Sequence, residues 1–82
     1  MELDSIKADK VLDTRGLSCP MPILKTKKEL KNMNTGEILE ILGTDPGSKN
    51  DFPAYASKAG DEFLGLMDVA EGFTRYFIKK GT

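Results

Sequence analysis

Pro20 and Pro22, set just beyond Gly16, dictate where this chain changes its secondary structure. A proline ring holds φ at about −65° and removes a backbone donor, yet Pro22 suits the first turn of a helix, where a missing N–H costs nothing. Gly16 supplies a turn conformation that a side chain would make costly. A strand therefore ends at Arg15-Gly16, and a helix begins around Met21. Residues 10–14, Lys-Val-Leu-Asp-Thr, read as that first strand.

Periodicity extends the pattern. Over residues 21–33, Ile23, Thr26, Leu30 and Met33 share one helical face, assigned to the core, with Lys25, Lys28 and Lys31 opposite. Asn34-Thr35-Gly36 stops the helix. Residues 37–42, Glu-Ile-Leu-Glu-Ile-Leu, read as a second strand, parallel to the first in a βαβ unit. Asp45-Pro46-Gly47-Ser48 opens a second helical region, and Asp51 ahead of Phe52-Pro53 offers another cap. Phe52, Tyr55, Ala56 and Ala59 follow the spacing of a buried helical stripe, and Gly60 ends it. Residues 62–69 and 73–79 form a hairpin across Ala70-Glu71-Gly72. The expected fold is α+β, a βαβαββ two-layer sandwich: a four-stranded mixed sheet with both helices on one face. Residues 1–9 read as a loose lead-in and residues 10–82 as a single domain.

At 82 residues, the chain buries only about 60–65% of the surface it exposes unfolded, which leaves little room for a deep pocket. Net charge is −1, which argues against dedicated nucleic-acid binding. No apolar run approaches the roughly 20 residues that span a bilayer. The polar opening, MELDSIKADK, is unlike a signal peptide, so the expected compartment is the cytoplasm.

The chain has one cysteine and no histidine. It can form no internal disulfide, no Cys–His zinc site and no His-assisted nucleophile. A lone cysteine is more often a small buried hydrophobe than a reactive group. Cys19, however, lies between a glycine turn and a helix start, with Pro20 disfavouring the helical region at the cysteine itself. The positive end of the helix favours a thiolate or persulfide anion there, with Arg15, Lys25 and Lys28 as supporting cations. A thiolate lacking a base and a second thiol is poorly equipped for hydrolysis or dithiol redox cycling. It is well equipped to accept a sulfur atom and hand it on.

The run Asp13-Thr14-Arg15-Gly16-Leu17-Ser18-Cys19-Pro20-Met21-Pro22 closely resembles the Cys-Pro-x-Pro signature of the TusA/SirA-like sulfur-carrier family. Asn32-Met33, Gly36-Glu37, Asp45-Pro46, Asp51-Phe52-Pro53 and Tyr76-Phe77-Ile78-Lys79-Lys80-Gly81 extend the likeness over about residues 10–81. The resemblance implies the same βαβαββ sandwich, similar to the C-terminal domain of a bacterial translation initiation factor. It also implies that Cys19 receives sulfane sulfur, as a transient persulfide and without a cofactor, from a cysteine desulfurase or rhodanese-like donor. The acceptor would be a protein of tRNA thiolation, molybdenum-cofactor synthesis or sulfur oxidation. Some relatives carry a second cysteine where this chain has Ala56, or a histidine near Asp61, so a two-thiol mechanism is not expected here.

Asp13 and Arg15 are expected either to pair and fix the loop or to leave Arg15 facing the cysteine. Gly16, Pro20 and Pro22 shape the loop, and Lys25 and Lys28 would dock an acidic partner or stay merely solvated. Met21 and Leu24 fall off the core face and offer an apolar rim beside Cys19. Phe52, Tyr55, Phe63, Phe73 and Phe77 read as core or as cover for the sheet. Two other readings compete with the carrier: a non-catalytic adaptor, and a small RNA-binding domain using the lysine face and the open sheet.

Overall fold

Alternation and punctuation in the sequence produce six elements in the computed structural model, which describes residues 7–18 and 20–81. They are β1 (Lys10–Asp13), α1 (Met21–Lys31), β2 (Ile38–Gly43), α2 (Ser48–Ala59), β3 (Glu62–Val69) and β4 (Phe73–Lys79). The sheet order is β1-β2-β4-β3. β1 runs parallel to β2, while β4 is antiparallel to both β2 and β3. This is the expected mixed sheet. Leu30 and Met33 from the α1 segment and Phe52 and Ala56 of α2 all join one core with Leu39, Ile41, Tyr76 and Ile78, so both helices cover the same face. At its centre the Phe52 and Tyr76 rings lie 4.6 Å apart, tilted by 49°.

Several local expectations need correction, the first being that β1 ends at Asp13, one residue before Thr14. α1 stops at Lys31, two residues early, because the Asn32 N–H turns back to the Glu29 carbonyl and the Met33 N–H to the Leu30 carbonyl. Met33 is buried all the same, from the connection that follows. β2 begins one residue later than expected and takes in Gly43. Asp51 is no cap: α2 starts at Ser48 after Gly47, which places Asp51 and Pro53 inside the helix.

The opposite face of the sheet is not simply open. Phe77 is fully buried there beneath Arg75, whose guanidinium carbon lies 5.1 Å from the ring centroid. Arg75 Nε in turn donates to Glu40 Oε2 at 2.9 Å, in a partly buried pair.

The last residues act as a strap. The Gly36 N–H donates to the Lys80 carbonyl at 2.7 Å, and the Lys80 N–H to the Glu37 carbonyl at 2.8 Å. Lys80 Nζ reaches the Leu30 carbonyl at 2.6 Å near the end of α1, where a cation meets the negative end of the helix dipole.

Candidate functional site

The candidate site is the connection from β1 to α1. Cys19 lies outside the described residues, but the residues on both sides of it are described. The connection is tied to the end of β2. The Thr14 N–H and its hydroxyl both donate to the Leu42 carbonyl, at 2.8 and 2.7 Å. The Gly16 N–H donates to Thr44 Oγ1 at 2.9 Å, and the Leu17 N–H to the Thr14 carbonyl at 3.1 Å. Gly16 has φ +83°, the left-handed turn that glycine adopts without strain.

Arg15 does not stand free. Its Nε and Nη2 donate to the two oxygens of Asp13, both at 2.9 Å, and its backbone N–H donates to the same carboxylate at 3.0 Å. The guanidinium also lies over Phe73 at the start of β4, 4.9 Å from the ring centroid. The Arg15 side-chain hydrogen bonds, then its backbone N–H, hold the Asp13 carboxyl down at about 2. Between the two arrangements open to the sequence, the pair is the one formed.

Downstream of Cys19, the Met21 N–H donates to the Ser18 carbonyl at 2.9 Å and α1 begins. Pro20 is the N-cap and offers no side-chain hydrogen bond; Pro22 sits buried within the first turn. No acidic side chain occupies that turn, so no carboxylate of α1 offsets the positive end of the helix there. Lys25 and Lys28 are exposed, while Met21 and Leu24 are 43% and 52% exposed, off the core face as expected.

Sequence reasoning missed several neighbours of the site. Thr44 and Phe73 support the loop from 28 and 58 residues away, and no local pattern marks such long-range partners. A cavity of about 310 Å³ opens beside Pro20, lined also by Ile23, Asp51, Ala54, Tyr55 and Lys58. Its α2 wall could have been found as the stripe 51, 54, 55, 58 adjoining the core stripe. Among the described residues there is no group of acidic, histidine or cysteine side chains able to hold a metal, and no helix long and apolar enough to cross a membrane.

The family model described as Sulfurtransferase TusA matches residues 10–80. YrkF of Bacillus subtilis is 52% identical over 76 residues, covering 93% of this chain; the chain spans only 40% of the length of YrkF. YrkI of the same organism is 43% identical over 76 residues, across 93% of this chain and 100% of its own length. The sulfur carrier protein TusA of Allochromatium vinosum is 43% identical over 72 residues, across 88% of this chain and 93% of that protein. In three dimensions the chain resembles the crystal structure of the SirA-like protein of Desulfitobacterium hafniense. That likeness has a TM-score of 0.79 at 22% identity, and covers 89% of this chain and 99% of the other.

Proposed function

Because the chain belongs to the sulfurtransferase TusA family, which includes a named sulfur carrier, we propose that Cys19 carries sulfane sulfur between two proteins. The observation that carries this reading is the family match through residues 10–80, which takes in the single thiol of the chain. In loading, the Cys19 thiolate attacks the outer sulfur of a donor persulfide. A new S–S bond forms at Cys19, the donor S–S bond breaks, and the donor leaves as a thiolate. The proton stays on the outer sulfur or passes to water as the persulfide ionises. The Cys19 sulfur is oxidised as the donor's cysteine sulfur is reduced, with no net change, so the exchange needs neither oxidant nor cofactor. Unloading is the same reaction with an acceptor thiolate as attacker.

The surroundings support that chemistry. The loop that leads toward Cys19 is pinned through Thr14, Gly16 and the Asp13–Arg15 pair. An α1 first turn without acidic side chains favours an anionic sulfur over a neutral one. With Arg15 committed to Asp13, exposed lysines of α1, Lys25 and Lys28 among them, are left to meet an acidic partner. In this reading the donor is a cysteine desulfurase or a rhodanese-like protein in the cytoplasm. The acceptor belongs to tRNA thiolation, molybdenum-cofactor synthesis or sulfur oxidation.

The test is onward transfer. The protein is loaded with labelled sulfur from a desulfurase and cysteine, freed of donor, and mixed with a second protein thiol. A carrier loses its label to that thiol within minutes. Label that stays in place, or never enters, would point to the adaptor reading instead.

A further inference from the structure

Gly16 is the point of greatest backbone freedom in the connection that leads to Cys19. Its φ of +83° lies in the left-handed region, which glycine enters about as readily as the right-handed one. Among the described residues, no atom beyond its chain neighbours lies within 4 Å of where a Cβ would stand, so packing does not hold the turn there.

A hydrogen bond holds it instead. The Gly16 N–H donates to Thr44 Oγ1 at 2.9 Å, across 28 positions of sequence. Thr44 directly follows β2, whose last residue, Gly43, would bring a Cβ to 3.4 Å from Thr14 Oγ1. The end of β2 therefore lies against the end of β1, close enough for one hydroxyl to join the two connections. Upstream of Gly16, Arg15 is fixed by Asp13 and lies over Phe73. Downstream, the Leu17 N–H returns to the Thr14 carbonyl within the same turn. Among the described residues, the Thr44 bond is thus the last long-range tie before Cys19 in the chain. A rotation at Gly16 is passed on to Cys19, three positions along.

We infer that Thr44 is a positioning residue for sulfur transfer: its hydroxyl oxygen holds the Gly16 turn and so aims the Cys19 sulfur at the bond it breaks. The inference rests on the carrier reading of Cys19 and adds what fixes the direction of attack. A thiolate attacks a persulfide along the axis of the breaking S–S bond, so a misdirected thiolate reacts slowly even with the donor bound. Thr44 gives and takes no atom in the step. The donor S–S bond breaks as the bond to Cys19 forms, and the donor departs as a thiolate.

Thr44→Val and Thr44→Ser test it together. Valine keeps the branched shape and removes the acceptor, while serine keeps the acceptor. Thr44 is exposed and outside the helices and strands, so neither change disturbs the core. The readouts are Gly16 amide exchange by NMR, steady-state loading from a protein donor with the carrier as varied substrate, and loading from inorganic polysulfide. The protein donor is a desulfurase with cysteine or a rhodanese with thiosulfate; polysulfide is small enough to meet the thiol from any direction. Thr44→Val should exchange its Gly16 amide faster and load from the protein donor with kcat about fivefold lower, KM and polysulfide loading unchanged. Fivefold corresponds to about 1 kcal/mol, the net contribution of one neutral hydrogen bond. Thr44→Ser should restore both kcat and Gly16 protection. An unchanged kcat in Thr44→Val, or a raised KM with kcat intact, would overturn the positioning role. So would a loss that serine does not restore, or equal slowing with polysulfide. Wild type that loads from no source would instead overturn the carrier reading beneath it.

Discussion

Asp13 shows how one short-range pair shapes the loop that leads to the thiol. Its carboxyl is held at about 2, against an ordinary 3.8, chiefly by the side-chain hydrogen bonds from Arg15. A depressed carboxyl contributes stability in full above its unfolded value and loses it as pH falls through the folded one. The loop clamp should therefore persist from neutral pH to below 3.8 and let go near 2. An NMR titration should give an Asp13 midpoint near 2, moving toward the ordinary value in Arg15→Gln. A wild-type midpoint near 4 would contradict the pairing. Thr26 makes the opposite case. Its hydroxyl is buried in the core face of α1 with no hydrogen-bond partner among the described residues. A buried orphan of this kind costs about 1–3 kcal/mol. Thr26→Val keeps the shape and removes the orphan, so it should raise stability by about 1 kcal/mol, or roughly 4–8 °C in Tm. A lower Tm would show that the hydroxyl has a partner in solution.

The βαβαββ order and all six elements were legible in the sequence, because strand and helix periods alternate cleanly between Gly and Pro stops. β3 and β4 fall where the turn at Ala70-Glu71-Gly72 sets them. Capping geometry was less legible: the end of α1 and the start of α2 are decided by backbone hydrogen bonds that leave no side-chain signature. At the candidate site, the motif residues were readable because they are contiguous. Thr44 and Phe73 were not, because only the closed sheet brings them there. The elements also meet at the final strap, where a Cβ on Gly81 would collide with the Gly60 carbonyl oxygen at the end of α2. Gly81→Ala should accordingly cost about 1–3 kcal/mol, the range for forced overpacking. It would be read as a lower urea midpoint with an unchanged slope. An unchanged midpoint would mean that the strap yields freely.

Across the whole molecule, charge is unevenly spread. α1 carries four lysines against one glutamate on a chain whose net charge is −1. A cationic patch of this kind raises encounter rates with acidic partners, and salt screens the effect. Lys25→Glu with Lys28→Glu should slow loading from a protein donor about tenfold at low salt, converging on wild type at high salt, with little change in Tm. Equal rates at low salt would reduce these lysines to ordinary solvated surface. The account as a whole rests on one atom. Its most direct test is the intact mass of wild type and Cys19→Ser after identical incubation with a cysteine desulfurase and cysteine. The account predicts a gain of one sulfur atom, removed by a thiol reductant, in wild type alone. A reducible gain of sulfur in Cys19→Ser, or none in wild type, would contradict it.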